Sequence, residues 1–240
     1  MRKIGIMGAM EIEIELIKSH LTQLQEVEHA GFKFYIGTYK NVNIVLCSCG
    51  VGKVNAASCT QMLIDKFQVT EIINTGIAGS LNSNARIGDT VISDNVTYHD
   101  VRPEQMRTLF PFVDKFQTSE ELRDIAIRAF EACEIQEINY HLGRIVTGEA
   151  FINDSNLKRT IVERYQPLCV EMEGGAIGHV AHINNIPFLI IRSISDNADD
   201  DANDTYDNFE GMAARNSARL VINMLNIIND SDIKDSEEVG

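Results

Sequence analysis

The sequence predicts one α/β domain, with a central mixed, mostly parallel, twisted β-sheet flanked by helices. Three observations lead there. Short apolar runs, read as strands, alternate with helical patterns from Lys3 to about Ile228, and that alternation wraps a largely parallel sheet on both sides. The chain has 240 residues, 44% of them hydrophobic, enough for one sizeable core. No internal repeat or linker marks a second domain, so the domain is expected over residues 1–228, with an acidic, disordered tail at 229–240 (NDSDIKDSEEVG).

The elements follow in order. Lys3–Met7 is a strand ending at Gly8, and a helix pattern runs from Met10 to about Leu21. At 100° per residue Ile14, Ile17 and Leu21 cluster with Met10, while Glu11, Glu15 and Lys18 take the solvated face. Glu13 falls within the apolar arc, where a carboxylate is costly unless used or paired. Phe32–Thr38 and Val42–Ser48 form a hairpin. GVGKVNAA (Gly50–Ala57) opens a helix to about Phe67. It fails as a phosphate loop, because Val54 follows the lysine where Ser or Thr is required. Glu71–Asn74 is a strand ending in TGIAGS (Thr75–Ser80), whose small residues let backbone N–H groups approach an anion or a ribose oxygen.

Gly88–Val96 is a further strand. Val101–Gln117, with Arg102, Arg107 and an LFPF cluster, reads as a packed loop. Ser119–Cys133 is helical, Gly143–Thr147 is a strand, and Asp154 or Ser155 caps a helix to Tyr165. The stretch from Leu168 to Asp201 places Glu171 and Glu173 where an apolar run meets Gly174-Gly175. It then crosses a small-residue helix and a second strand, Phe188–Ser195, that runs into Asp196. A long amphipathic helix, Asp207–Ile228, follows.

A formal charge of −14 argues against nucleic acid or an anionic membrane as partner. The five cysteines include no C-x-x-C pair, so they read as free thiols in a reducing cytoplasm. His179-x-x-His182 lacks a carboxylate placed to complete a metal site, and both are expected on a helix surface. Neither a signal-like apolar start nor a run of membrane-spanning length is present, and the chain is expected to be cytoplasmic.

In open α/β sheets ligands bind at the carboxyl ends of strands. That rule gathers Gly8–Glu13, Thr75–Gly79, Phe151–Ile152, Glu171–Glu173 and Arg192–Asp196 on one rim. On an alternating strand Arg192 and Asp196 share a face. The run Asp199–Asp201 would help keep Asp196 protonated as an acid, while Glu13 near Arg192 stays ionised and activates water.

The chain resembles the nucleoside phosphorylase/hydrolase superfamily, and within it the bacterial methylthioadenosine/S-adenosylhomocysteine nucleosidases. The matching text is IGIMGAMEIEIE (4–15), SCGVGKVNAA (48–57), INTGIAG (73–79), IGDTVISD (87–94), YHD (98–100), TGEAFI (147–152), VEMEGGAI (170–177) and IPFLIIRSISDNAD (186–199). The resemblance implies hydrolysis of an N-glycosidic bond without metal or organic cofactor, releasing adenine. It makes Glu13 the base and Asp196, supported by Ser195, the acid at adenine N7. Met172 and Glu173 would hold the ribose, with Arg192 beside the attacking water. Phe151 would stack on the purine and the Ile152 backbone would read its edge. Ala9, Met10, Val51, Ala78, Gly79 and Tyr206 would line the rest. It also implies a homodimer with segment 101–117 near the interface.

Hydrolysis is favoured over phosphorolysis because Ala9-Met10-Glu11 stands where phosphorylases place an arginine, and Glu13 would repel phosphate. Ile77 replaces the family's usual small hydroxyl residue and Glu149 its usual Asp. The segment 101–117 departs throughout, so the 5′ group stays open, with an anionic one suited to Arg102 and Arg107. A purine nucleoside phosphorylase or a non-catalytic nucleoside binder are the rival readings.

Overall fold

The computed structural model describes residues 2–133 and 138–238. The first strand, β1 (Lys3–Gly8), shows how the layers form. Ile4 and Ile6 join the core under helices α1 (Glu11–Ser19), α4 (Glu120–Glu131) and α7 (Ala202–Glu238). Met7, one residue out of phase, joins the opposite core, under α2 (Lys53–Asp65) and α6 (Gly174–Ile183). Period-two alternation on a strand apolar on both faces builds a helix–sheet–helix sandwich.

The remaining strands are β2 (Thr22–His29), β3 (Phe32–Tyr39), β4 (Val42–Ser48), β5 (Glu71–Asn74), β6 (Ile77–Ser80), β7 (Thr90–Tyr98), β8 (Phe116–Gln117), β9 (Tyr140–Thr147), β10 (Cys169–Glu171) and β11 (Phe188–Asp196). Their order is β2-β3-β4-β1-β5-β11-β6-β10-β9-β7-β8. Six of the eleven pairings are parallel, so the sheet is mixed and mostly parallel as the alternation predicts. β11 is its hub. Phe188–Ile190 pairs with β5, Ile191–Ser193 also pairs with β7, and Ser193–Asp196 pairs with β6. The β11–β7 pairing closes the second half of the sheet on itself.

Helix starts follow the caps. Ser119 Oγ accepts the Leu122 N–H at 3.3 Å, and Asp154 Oδ1 accepts that of Leu157 at 2.7 Å to begin α5 (Ser155–Tyr165).

Several expectations change. The 101–117 segment is not all loop, since it holds helix α3 (Pro103–Thr108) and the two-residue β8. Strand β2 is polar and exposed on nearly every residue, so its alternation carries no apolar signal, and it forms by antiparallel pairing with β3. Four of the six residues of TGIAGS are strand, β6. His179 is not a surface residue but stacks on Phe116 with ring centroids 4.7 Å apart. Helix α7 starts before Asp207 and continues through the expected tail to Glu238. There Asn229 is buried and its Oδ1 accepts the Asn41 N–H at 3.2 Å, which docks the helix beyond Ile228. Val239 and Gly240, the end of that expected tail, lie outside the described residues. Among the described residues no helix is long and apolar enough to cross a membrane, and no cluster of side chains could hold a metal ion.

Candidate active site

A cavity of about 540 Å³ opens at the carboxyl ends of the strands. Its walls include Ala9, Met10, Glu13, Val51, Ala78 and Gly79 from the first half of the chain. Phe151, Met172, Glu173, Ser195, Asp196 and Tyr206 come from the second. Ile152, 3% exposed, lines a small extension beside Asp196. Arg192 is 1% exposed and lies behind the wall rather than in it. The geometry thus brings to one place every residue to which the resemblance gives a catalytic or binding role, with Arg192 one layer deeper, whereas Arg102 and Arg107 lie outside the cavity lining. Ile77 and Glu171 also line the cavity, as do Asn203 and Asp207, which reasoning from sequence missed. Asn203, Tyr206 and Asp207 share one face of α7 at i, i+3, i+4 spacing, a signal that a helix starting at Asp207 does not contain.

Glu13 occupies the third position of α1 and is 3% exposed. Its Oε2 accepts the N–H groups of Ala9 at 2.6 Å and Met10 at 3.0 Å, closing back on the helix start. Oε1 accepts the Ile77 N–H at 3.1 Å. The anion approached by the backbone of TGIAGS is therefore the protein's own carboxylate. Residue 76 must be glycine for this, because a Cβ there would lie 2.6 Å from Glu13 Oε1. Burial pushes the Glu13 carboxyl up, against the pull of Arg192 and the three N–H donors. A carboxylate with raised proton affinity is a better base than an ordinary surface glutamate.

Glu171 and Arg192 form a buried ion pair. Glu171 also accepts the N–H groups of Glu173 at 3.0 Å and Gly174 at 2.6 Å, at the start of α6, and the Thr147 hydroxyl. Both of its oxygens are engaged. Glu173 lies 3.7 Å from Arg192 and accepts only the Gly52 N–H among backbone donors, at 2.8 Å. Burial, then the charge of Glu171, pushes its carboxyl up to about 8.

Asp196 is held by Ser195 Oγ, donating at 2.9 Å, and by the Ala198 N–H at 2.8 Å. Ala198 takes a left-handed φ of 49° to supply that donor, a conformation sparsely populated for a residue with a Cβ. Burial is the main reason the Asp196 carboxyl is raised, and the charge of Asp199 adds to it. The expected run of aspartates thus contributes, but less than exclusion from water. Strict alternation on β11 does not hold either. A register shift between Ile194 and Asp196 lets the consecutive residues Ser195 and Asp196 both reach the cavity.

Phe151 is 39% exposed and meets the Tyr206 ring edge-to-face at 5.7 Å. Phe151 and Tyr206 thus give the cavity an aromatic wall, Asp196 lines the small extension beside Phe151, and Glu13 and Glu173 line the cavity as well. Among the described residues no Lys or Arg lines the cavity. Arg107 is paired with Glu104 and Asp114 in the 101–117 segment.

This arrangement is that of a glycosyl-transfer site, and residues 3–226 match the phosphorylase superfamily. The chain belongs to that superfamily. It is 44% identical, over 92% of its length and 97% of the relative's, to a 5′-methylthioadenosine/S-adenosylhomocysteine nucleosidase of Halalkalibacterium halodurans. It superposes with a TM-score of 0.89 on a nucleosidase of the same name from Colwellia psychrerythraea in complex with adenine, at 36% identity, covering 94% of this chain and 95% of that one. The futalosine hydrolase of Helicobacter pylori superposes with a TM-score of 0.86 at 30% identity, covering 94% and 97%.

Proposed function

We propose that the protein hydrolyses the N-glycosidic bond of 5′-substituted adenine nucleosides, 5′-methylthioadenosine and S-adenosylhomocysteine, releasing adenine and the 5-substituted ribose. The observation that carries this reading is a pair of buried carboxyls, Glu13 and Asp196, both with raised proton affinity, in one cavity without a lining cation. The purine would stack on Phe151 with N7 facing Asp196, and the ribose hydroxyls would donate to Glu173 beside Met172. Water adds to C1′ as Glu13 takes its proton. The C1′–N9 bond breaks with its electron pair passing to the purine, and the Asp196 proton goes to N7, so that neutral adenine leaves. The carboxylates around the sugar stabilise the positive charge that develops at C1′. Arg192 keeps Glu171 neutralised behind the site and draws Glu13 toward its ionised form.

Phosphate in place of water would meet Glu13, Glu171, Glu173 and Asp196 with no lining Lys or Arg, which disfavours phosphorolysis. Arg107 is engaged by two carboxylates, which weakens the case for an anionic 5′ group. The test is base release from methylthioadenosine, adenosylhomocysteine, adenosine and inosine, with and without phosphate. Adenine release independent of phosphate is expected. Release that requires phosphate would assign a phosphorylase, and none from any substrate would leave a binding protein.

A homodimer built on segment 101–117 belongs to the same reading. Leu109, Phe110 and Phe112 are 57%, 67% and 65% exposed there, an apolar surface that favours a partner. Light scattering on a sizing column should give twice the chain mass, and Phe110→Asp with Phe112→Ser should give the single chain. Five free thiols, four of them buried, fit a cytoplasmic setting.

A further inference from the structure

We propose that Lys53, Asp100 and Glu149 form a positioning cluster that holds the Gly52 N–H against Glu173 and so sets how the ribose is gripped. The proposal rests on the nucleosidase reading above. None of the three lines the cavity, yet each belongs to a segment that does or that borders it. Lys53 is the first residue of α2, directly after Val51 and Gly52. Asp100 lies two residues past β7, and Glu149 two residues before Phe151.

Their contacts close a ring. The Lys53 ammonium donates to Asp100 Oδ2 at 2.6 Å, and the same oxygen accepts the Glu149 N–H at 2.9 Å. Glu149 Oε2 returns to α2, accepting the Lys53 N–H at 3.2 Å. Burial would raise the Asp100 carboxyl, but Lys53 and the Glu149 N–H hold it below the usual range. Gly52 is clasped inside it. Its φ of +103° suits glycine alone, and a Cβ would lie 2.6 Å from Glu149 Oε1. From that position its N–H reaches Glu173 Oε1. This donor favours the ionised form of Glu173, the form that accepts hydrogen bonds from two hydroxyls.

These side chains are 22%, 28% and 54% exposed, and ion pairs so wetted add little to stability. Their effect should therefore appear in substrate affinity. With methylthioadenosine as substrate, Glu149→Ala should raise KM about tenfold while kcat changes less than threefold. It should also move the pH at which KM improves upward, because Glu173 loses a fixed donor. Glu149→Gln, whose amide oxygen still accepts the Lys53 N–H, should restore both. Lys53→Met supplies the same readout in a chain that keeps the Glu149 contact, should the alanine variant not fold. Parent-like KM and an unmoved pH profile in a folded variant would overturn the cluster's role. Absence of adenine release by the parent would instead overturn the nucleosidase reading.

Discussion

Glu13 and Asp196 differ in how their environments prepare them. Glu13 is surrounded by fixed N–H donors and a nearby guanidinium, Asp196 by one hydroxyl, one N–H and apolar walls. Replacing either side chain by its amide keeps shape but removes the proton acceptor or donor that the proposed mechanism requires. Glu13→Gln and Asp196→Asn should each lower kcat by about 10²–10⁴, with thermal melts near the parent's. Near-full activity in either variant removes that residue from its role. Glu173 gives a stability prediction. A carboxyl whose folded pKa lies above its unfolded value stabilises fully below the unfolded value, here 4.5, and that contribution is lost as the pH rises toward about 8. Glu173→Gln should therefore show a flatter melting temperature than the parent between about pH 5 and about pH 8; equal slopes would contradict the raised pKa. At this scale much was legible. Glu13 announced itself as a carboxylate in an apolar arc. The Glu171–Arg192 pair did not, because its partners lie on β10 and β11, which the sheet brings close with β6 between them, an arrangement no local pattern encodes.

Helix α5 supports the Asp196 segment from outside. Its N-cap Asp154 starts the helix, Ser155 Oγ donates to Asp200 Oδ2 at 2.7 Å, and Lys158 donates to the Asn197 carbonyl next to Asp196. Asp154→Ala should cost about 1 kcal/mol of stability in urea unfolding, with activity under saturating substrate little changed. A loss of activity without a loss of stability would mean that the cap acts on the site directly. Elements with a strong period or a cap, such as α1, α4 and α5, could be read from the sequence. Strand β2, which is polar, and β6, which is glycine-rich, could not, since pairing rather than side-chain pattern makes them strands. The start of α7 was missed for a related reason: its first turn is dominated by Asp and Asn, residues that compete with helical hydrogen bonding.

Across the whole molecule, the cavity straddles the seam at β11. Glu13 comes from the side of β1, Phe151 and Glu173 from the side of β9 and β10, and Asp196 from β11 itself. The rule that ligands sit at strand carboxyl ends located this rim from sequence, although strand order and the closure of β7 on β11 were invisible to it. Because β11 is bonded along its length to three strands and is buried throughout, its amides from Leu189 to Ile194 should be among the slowest to exchange with deuterium, opening only with global unfolding. Fast exchange there would show that the site rests on a locally mobile strand.

The polar face of β2 has a consequence for how copies of the chain meet. The ends of the sheet are β2, which carries Glu26, Glu28 and His29 on an exposed strand, and β8, only two residues long. Neither offers a long, flat, apolar template on which a neighbouring chain could add a strand, and charge and brevity are the features that block such growth. Fibre-like edge pairing is thereby disfavoured, and the dimer proposed on Leu109–Phe112 would instead join side-chain surfaces, a contact that closes at two.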